Sequence, residues 1–322
     1  MTPQLDASVV ICAYTMDRWD DLTAAVEAVQ HQTHPSREII VVVDRTETLL
    51  ERATAELEGV TVALNHHGPG LSGARNTGYD LSSAAVIVFL DDDAFPEPQW
   101  LAELLAAYED PSVLGAGGEV VPLWREGRPA WFPAEFNWVV GCSYTGMPEQ
   151  RSEIRNPIGA NLSMRREVFG ASGGFELALG RLDLGNGKVV TGTADETEFC
   201  IRARRENPGG RWLYVPEARV HHVVARSRGT WRYFAERCRL EGGSKAVLTG
   251  LTGTEKGLES ERRYVRSVLP RAVVRDVTAG LRGDRVAFQR AAAIVVGLVL
   301  TAGAYVRGRV AMARGRRARY AT

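Results

Sequence analysis

The segment VIVFLDDDAFPEPQW, Val86 to Trp100, runs five apolar residues directly into Asp91, Asp92 and Asp93. One acid at the end of a strand is an ordinary turn residue or helix cap. Three in succession behind a wholly apolar run repel one another and call for a bound cation. Carboxylate oxygens suit hard divalent ions, and Mg²⁺ in particular shares one or two carboxylates with substrate phosphates. The chemistry expected of this segment is therefore a metal–diphosphate site.

Such a site needs elements to present it. Short β-branched runs, SVVICAY, REIIVVVD, VTVALNHH and AVIVFLDDD, alternate with the helical patterns RWDDLTAAVEAVQHQ, TETLLERATAEL and GLSGARNTGYDLS. Strand and helix alternating at this spacing predict an α/β fold, an open and mostly parallel sheet flanked by helices. In such sheets ligands lie outside the carboxyl ends of the strands. Tyr14, Asp44 and Asp91 to Asp93 all fall at those ends. Farther on, Gly115 to Gly118 and PLWREGRPAWFPAEFNW read as irregular, and AFPEPQW as the opening of a helix. ADETEFCIRARREN reads as a helix whose acidic start and basic end suit its dipole. RWLYVPEARVHHVV reads as a strand, and Thr230 to about Arg285 as helical with a break at TGLTGTEKG.

Bulk properties exclude little. The 322 residues balance 39 basic against 39 acidic side chains, so net charge names no partner. The basic signal is local: six arginines and no acid lie between Arg307 and Arg319. Cys12, Cys142, Cys200 and Cys238 are too scattered for a zinc site or a disulfide framework, and no basic-then-apolar leader opens the sequence. A reducing cytoplasmic location is expected. Ala291 to Val306 carries no charge over sixteen residues. A spanning helix wants about 20 apolar residues. Three readings of this run stand open: a packed terminal helix, a helix lying on a membrane surface, or a marginal span.

VVICAYTMDRWDDL, IIVVVDRT, GLSGARNTGYDLSSAAVIVFLDDDAFP, NPIGANLSMRREVF with its following GGF, and ADETEFCIRARR together resemble the inverting family-2 glycosyltransferases of the GT-A fold. The likeness runs in order from about Ser8 to Arg239. It implies a GT-A catalytic domain over 1–228, to which the residue pattern adds a helical extension over 229–285 and an apolar helix with a basic tail over 286–322. It implies that Ala13, Tyr14 and Asp44 contact base and ribose, with Arg75 and Asn76 near the nucleotide end. Asp91 to Asp93 match the family's Asp-x-Asp motif: Asp91 and Asp92 on the donor side, and Asp93, with Asp91, holding Mg²⁺ or Mn²⁺ against the diphosphate. His221 or His222 is a candidate to complete the metal shell, with His222 preferred. Asn161 is expected in the acceptor wall, and Arg226, Arg228 and Trp231 at the acceptor or diphosphate edge. The family's second acidic motif supplies the general base. Its usual Glu-Asp order is reversed here, so register favours Glu196, with Asp195 as the alternative.

The resemblance implies metal-dependent, inverting transfer of a sugar from a nucleotide-diphosphate donor to a hydroxyl or a lipid-linked acceptor at the inner face of the plasma membrane, without nucleic acid. Two rivals remain. A nucleotidyltransferase wants a glycine-rich basic loop after the first strand, where TMDRWDDL has no glycine. A non-catalytic, membrane-associated sugar-nucleotide binder has no need of acids at both sites.

Overall fold

The computed structural model describes residues 5–177, 181–183, 189–191, 194–252 and 259–313. The chain divides into two compact units, Met1–Val121 with Pro148–His222, and Pro122–Met147 with Val223–Thr322.

The first unit is built on strands β1 (Ala7–Ala13), β2 (Glu38–Val43), β3 (Thr61–Leu64), β4 (Val86–Asp91), β5 (Ala94–Pro96), β6 (Val113–Trp124), β7 (Ser152–Ile154), β8 (Asn161–Arg165) and β11 (Arg211–Val224). They form one sheet in the order β3-β2-β1-β4-β8-β6-β11-β5, with β7 paired to β11. The pairs among β3, β2, β1 and β4 are parallel, as the alternating pattern requires. Beyond β4 the sheet turns mixed: β8 is antiparallel to β4 and β6, and β5 and β7 are antiparallel to β11. A separate hairpin pairs β9 (Arg181–Asp183) with β10 (Val189–Thr191).

Helices α1 (Trp19–Gln30), α2 (Glu47–Glu56), α3 (Leu71–Leu81), α4 (Trp100–Ala106), α5 (Arg166–Ala171) and α6 (Asp195–Glu206) accompany the sheet. The core gathers Val10, Ile40, Ile87 and Phe89 from the parallel strands with Phe169, Phe175, Phe199 and Trp212. Each such side chain contributes about 1.5–3 kcal/mol by leaving water.

Two expectations are corrected. Gly115 to Gly118 are not irregular but lie inside the twelve-residue strand β6. These positions are glycine because neighbours crowd them. A Cβ at Gly115 would come 2.2 Å from the Trp212 ring, and one at Gly118 1.6 Å from the Ala218 carbonyl oxygen. Backbone cannot yield as a side-chain tip can, so Gly118→Ala is expected to lower stability by about 3 kcal/mol in urea denaturation. Ala94–Pro96 likewise forms a strand, and the helix begins only at Trp100. Apolar AFP is claimed by the edge of β11 before the helix starts.

The second unit holds α7 (Trp231–Thr252), α8 (Glu259–Arg263), α9 (Leu269–Leu281) and α10 (Arg285–Ala313). The latter part of the expected break at TGLTGTEKG, 253–257, lies outside the described residues. The Phe234 ring meets Phe132 edge-on and Phe136 at a tilt, and Trp131 stacks on Trp231 at 4.1 Å. Buried Glu135 is held by Arg275 at 2.9 Å, and Arg275 also binds Asp276. Among the described residues no disulfide joins the four cysteines.

Candidate active site

The parallel register sets the site. Cys12 of β1 pairs with Asp91 of β4, so the carboxyl ends of both strands open at one level. The chain then turns through Asp92 and Asp93 into β5, whose Ala94 pairs with His222 of β11. That pairing carries the imidazole to the acids. His222 Nε2 lies 3.2 Å from Asp93 Oδ1 and 3.9 Å from Asp91 Oδ2. The ligand atoms of Asp91, Asp93 and His222 all lie within 4.8 Å of one another. His221, its neighbour in the strand, points elsewhere and binds Glu97 at 3.0 Å.

Part of the aspartates' repulsion is answered from within the chain. Arg18, just after β1, sets Nη1 2.7 Å from Asp92 Oδ1 and 3.1 Å from Asp93 Oδ2. Arg75 of α3 approaches Asp91 at 3.8 Å. The same guanidinium, only 1% exposed, reaches Glu196 Oε1 at 3.0 Å, Asp195 Oδ2 at 3.3 Å and the Gly159 carbonyl at 3.1 Å. Ser72, one turn earlier on α3, donates to Asp195 at 3.2 Å. Five carboxylates thus face two guanidiniums, an excess of negative charge that suits a divalent cation.

Titration follows from this crowding. Burial first, then the charge of Asp93, pushes the Asp92 carboxyl up to about 7, although Arg18 draws it down. Burial and neighbouring acids raise Asp91 as well. One oxygen of Asp92, Oδ2, is buried without a hydrogen-bond partner. Oxygen-rich donors, one imidazole and an orphaned carboxylate oxygen fit Mg²⁺ or Mn²⁺.

At the start of α6 the two acids differ in kind. Asp195 is 3% exposed, and burial with the adjacent Glu196 charge raises it well above the usual carboxylate range. Burial pushes Glu196 up too, but Arg75 and a hydrogen bond with Asp195 outweigh it and leave it lowered. The Glu196 side chain keeps 19% exposure. A partly exposed carboxylate kept ionised by Arg75, beside a buried one that holds its proton more readily, is able to take a proton. Gly159 makes room for it, since a Cβ there would fall 1.9 Å from Glu196 Oε1. A side-chain tip can swing aside, so Gly159→Ala is expected to fold normally and to lower turnover at least about 10-fold by displacing this carboxylate. Melting curves beside initial rates check both halves.

Asp44, following β2, accepts from Asn65 Nδ2 at 2.8 Å and from the Gly70 amide at 2.9 Å. Gly70 has φ +102°, a conformation open to glycine, and so delivers that amide at the entry to α3. Ala13 and Tyr14 end β1 next to Asp44, whose amide donates to the Ala13 carbonyl. The Arg18 guanidinium lies 5.3 Å from the centre of the Tyr14 ring.

Other expected positions do different work. Asn161 is fully buried, accepting from Trp100 Nε1 at 2.9 Å and donating to the Ala218 carbonyl at 2.8 Å. Through these bonds it ties β8 to its neighbours. Asn76 clamps the Phe175 backbone with its amide, 3.0 Å to O and 2.9 Å from N. Arg226, Arg228 and Trp231 lie in the second unit, where Arg226 pairs with Glu126 and Trp231 stacks on Trp131. Sequence reasoning missed Arg18 and Ser72, and placed Gly159 only within a segment, Gly159 to Phe169, expected in the acceptor wall. For Arg18 a signal existed: a lone arginine just after one strand, with acids ending the strand beside it.

A sheet of this order with acids at the carboxyl ends of β4 defines a nucleotide-sugar transferase architecture, the GT-A fold. The model of glycosyl transferase family 2 matches residues 8–173, and the chain belongs to that family and is a glycosyltransferase. It is 36% identical over 248 residues to the glucosyl-dolichyl phosphate glucuronosyltransferase of Haloferax volcanii, covering 76% of this chain and 77% of that one. It is 24% identical over 242 residues to the succinoglycan biosynthesis protein ExoM of Rhizobium meliloti, 72% of each. Among solved structures it resembles the mannosyltransferase PcManGT of Pyrobaculum calidifontis in complex with GDP-Man and Mn2+, with TM-score 0.56, 16% identity, and 93% and 88% coverage. It also resembles GalNAc-T7 with UDP, GalNAc and Mn2+, with TM-score 0.51 and 18% identity, covering 87% of this chain but 58% of that one.

Proposed function

We propose that this glycosyltransferase is inverting and metal-dependent, and moves a sugar from a nucleoside-diphosphate donor to a lipid-linked acceptor at the inner face of the membrane. The observation that carries the reading is the convergence of Asp91, Asp93 and His222 beside an Arg75-held Glu196. The name of the Haloferax relative supports a lipid-linked acceptor, and the Mn2+ in both solved neighbours supports the divalent ion.

Asp91, Asp93 and His222 would hold the ion, which when bound offsets charge building on the departing diphosphate. Asp44 and the β1 end at Ala13 and Tyr14 take the base and ribose, Asp44 being fixed by Asn65 and Gly70 before the donor arrives. Glu196 accepts the acceptor's proton as its oxygen attacks the anomeric carbon from the face opposite the leaving group. Arg75 keeps that carboxylate ionised and aimed. Asp195, buried and raised by that burial and by the Glu196 charge, braces Glu196 from behind.

A panel of UDP-, GDP- and dTDP-sugars, UDP-glucuronic acid among them, tests the reading by thermal shift with and without Mn²⁺. One nucleotide class should stabilise the protein only with the ion, by about 2.7 kcal/mol at a hundredfold excess over its Kd. Equal stabilisation without metal, or none from any donor, would overturn it.

A further inference from the structure

Helix α10 buries Ala287, Ala291, Ile294 and Gly297 but leaves Phe288, Val295, Val299, Val306 and Val310 exposed by 42, 48, 63, 57 and 42%. These residues recur every seven or four positions, with Ala292 and Ala302 between, and so form one stripe about 33 Å long. On α9, Val274, Val277 and Leu281 are exposed by 65, 36 and 78%. The stripes adjoin, because the Phe288 ring lies against Gly280, where a Cβ would come within 2.7 Å. Apolar surface of this extent marks an interaction site.

Charge identifies the partner. No acid occurs between Arg285 and Ala313, while Arg271, Arg282, Arg285 and Arg307 stand exposed around the stripes. The nearby Asp284 is paired with Arg290 at 2.8 Å. A second copy docking face to face would set arginine rims against one another. An anionic bilayer surface complements both the apolar stripe and its rim.

By length and composition α10 could also cross a membrane. Its neighbour forbids that. Gly242 of α7 sits where a Cβ would come 2.1 Å from the Thr301 carbonyl oxygen, and Gly308 where one would come 2.6 Å from Ala246. Crossing would drag α7 along with Arg232, Glu236, Arg237, Arg239, Glu241 and Lys245. Charged side chains do not enter hydrocarbon without partners or water.

We infer that α9 and α10 lie flat on an anionic membrane surface, stripe inward and arginines among the headgroups, as a monotopic dock and not a span. The inference deepens the membrane-side part of the proposed function and rests on it.

Flotation of the full chain with phosphatidylcholine vesicles, with and without 30% phosphatidylglycerol (roughly the charge of an anionic leaflet), tests it. Binding should need the anionic lipid, weaken in high salt, and fall at least about 10-fold in Val295→Glu/Val299→Glu. Metal-dependent donor stabilisation should persist in that variant; if it persists in no form of the protein, the proposed function fails separately. Arg285→Cys and Arg307→Cys, both among the headgroups at opposite ends of the helix, should each react with an impermeant maleimide added outside the vesicles. Protection of one end would establish a span and overturn the inference. So would undiminished binding by the double variant, or an absence of vesicle binding with a dimer that the variant dissolves.

Discussion

Asp93→Asn abolishes metal-dependent donor binding and lowers transfer by at least about 10³-fold. The replacement is isosteric and stays within reach of Arg18 and His222, now 3.1 and 3.2 Å from the carboxylate, so the turn survives. What disappears is one negative charge from a cluster in which burial and like charges already raise Asp91 and Asp92. The metal-free protein should therefore melt no lower than wild type, and its stabilisation by Mn²⁺ plus donor should vanish. A role confined to pairing with Arg18 predicts the reverse pattern, a lower melting temperature with donor binding intact. Calorimetric titration beside melting curves separates the two.

Glu196→Gln lowers kcat by about 10²–10⁴-fold while donor affinity stays near wild type. Glutamine keeps an acceptor for Arg75 Nη1, which stands 3.0 Å from Glu196 Oε1, so the loss reports the missing base and not a collapsed site. Asp195→Asn supplies the contrast. Burial and the Glu196 charge raise this carboxyl, so it holds its proton more readily than an ordinary one, and asparagine keeps its shape without adding a charge. Its effect should stay below about 10-fold. Near-full activity in Glu196→Gln would instead indicate an acceptor that is already ionised, such as a polyprenyl phosphate, which needs no base.

The parallel half of the fold was legible because β1, β2 and β4 are buried on both faces and read as unbroken apolar runs, two of them ending in acids. The antiparallel half was not. In β6 the run of glycines exists for the sake of Trp212 and Ala218, residues about a hundred positions away, so its local composition looks like loop. Asp91, Asp93 and Glu196 were legible for the opposite reason, since an uncompensated charge behind an apolar strand or at a helix start is conspicuous locally. Whether an amide faces a cleft or another strand is set by tertiary packing alone, so the backbone bonds of Asn161 and Asn76 were not legible in the sequence. The trio's partners were split: His222 could be inferred from a strand that ends near the site, while Arg18 became visible as a counter-charge only with β1 and β4 side by side.

The central claim is that Asp91, Asp93 and His222 grip one divalent ion whose far side holds the donor's diphosphate. Electron spin-echo spectroscopy of the Mn²⁺-loaded protein, with the nucleoside diphosphate that stabilises it most, examines that ion directly. The account predicts modulation from one imidazole nitrogen, lost in His222→Ala, together with coupling to phosphorus. A Mn²⁺ spectrum without phosphorus coupling, or with nitrogen coupling that survives His222→Ala, would contradict it.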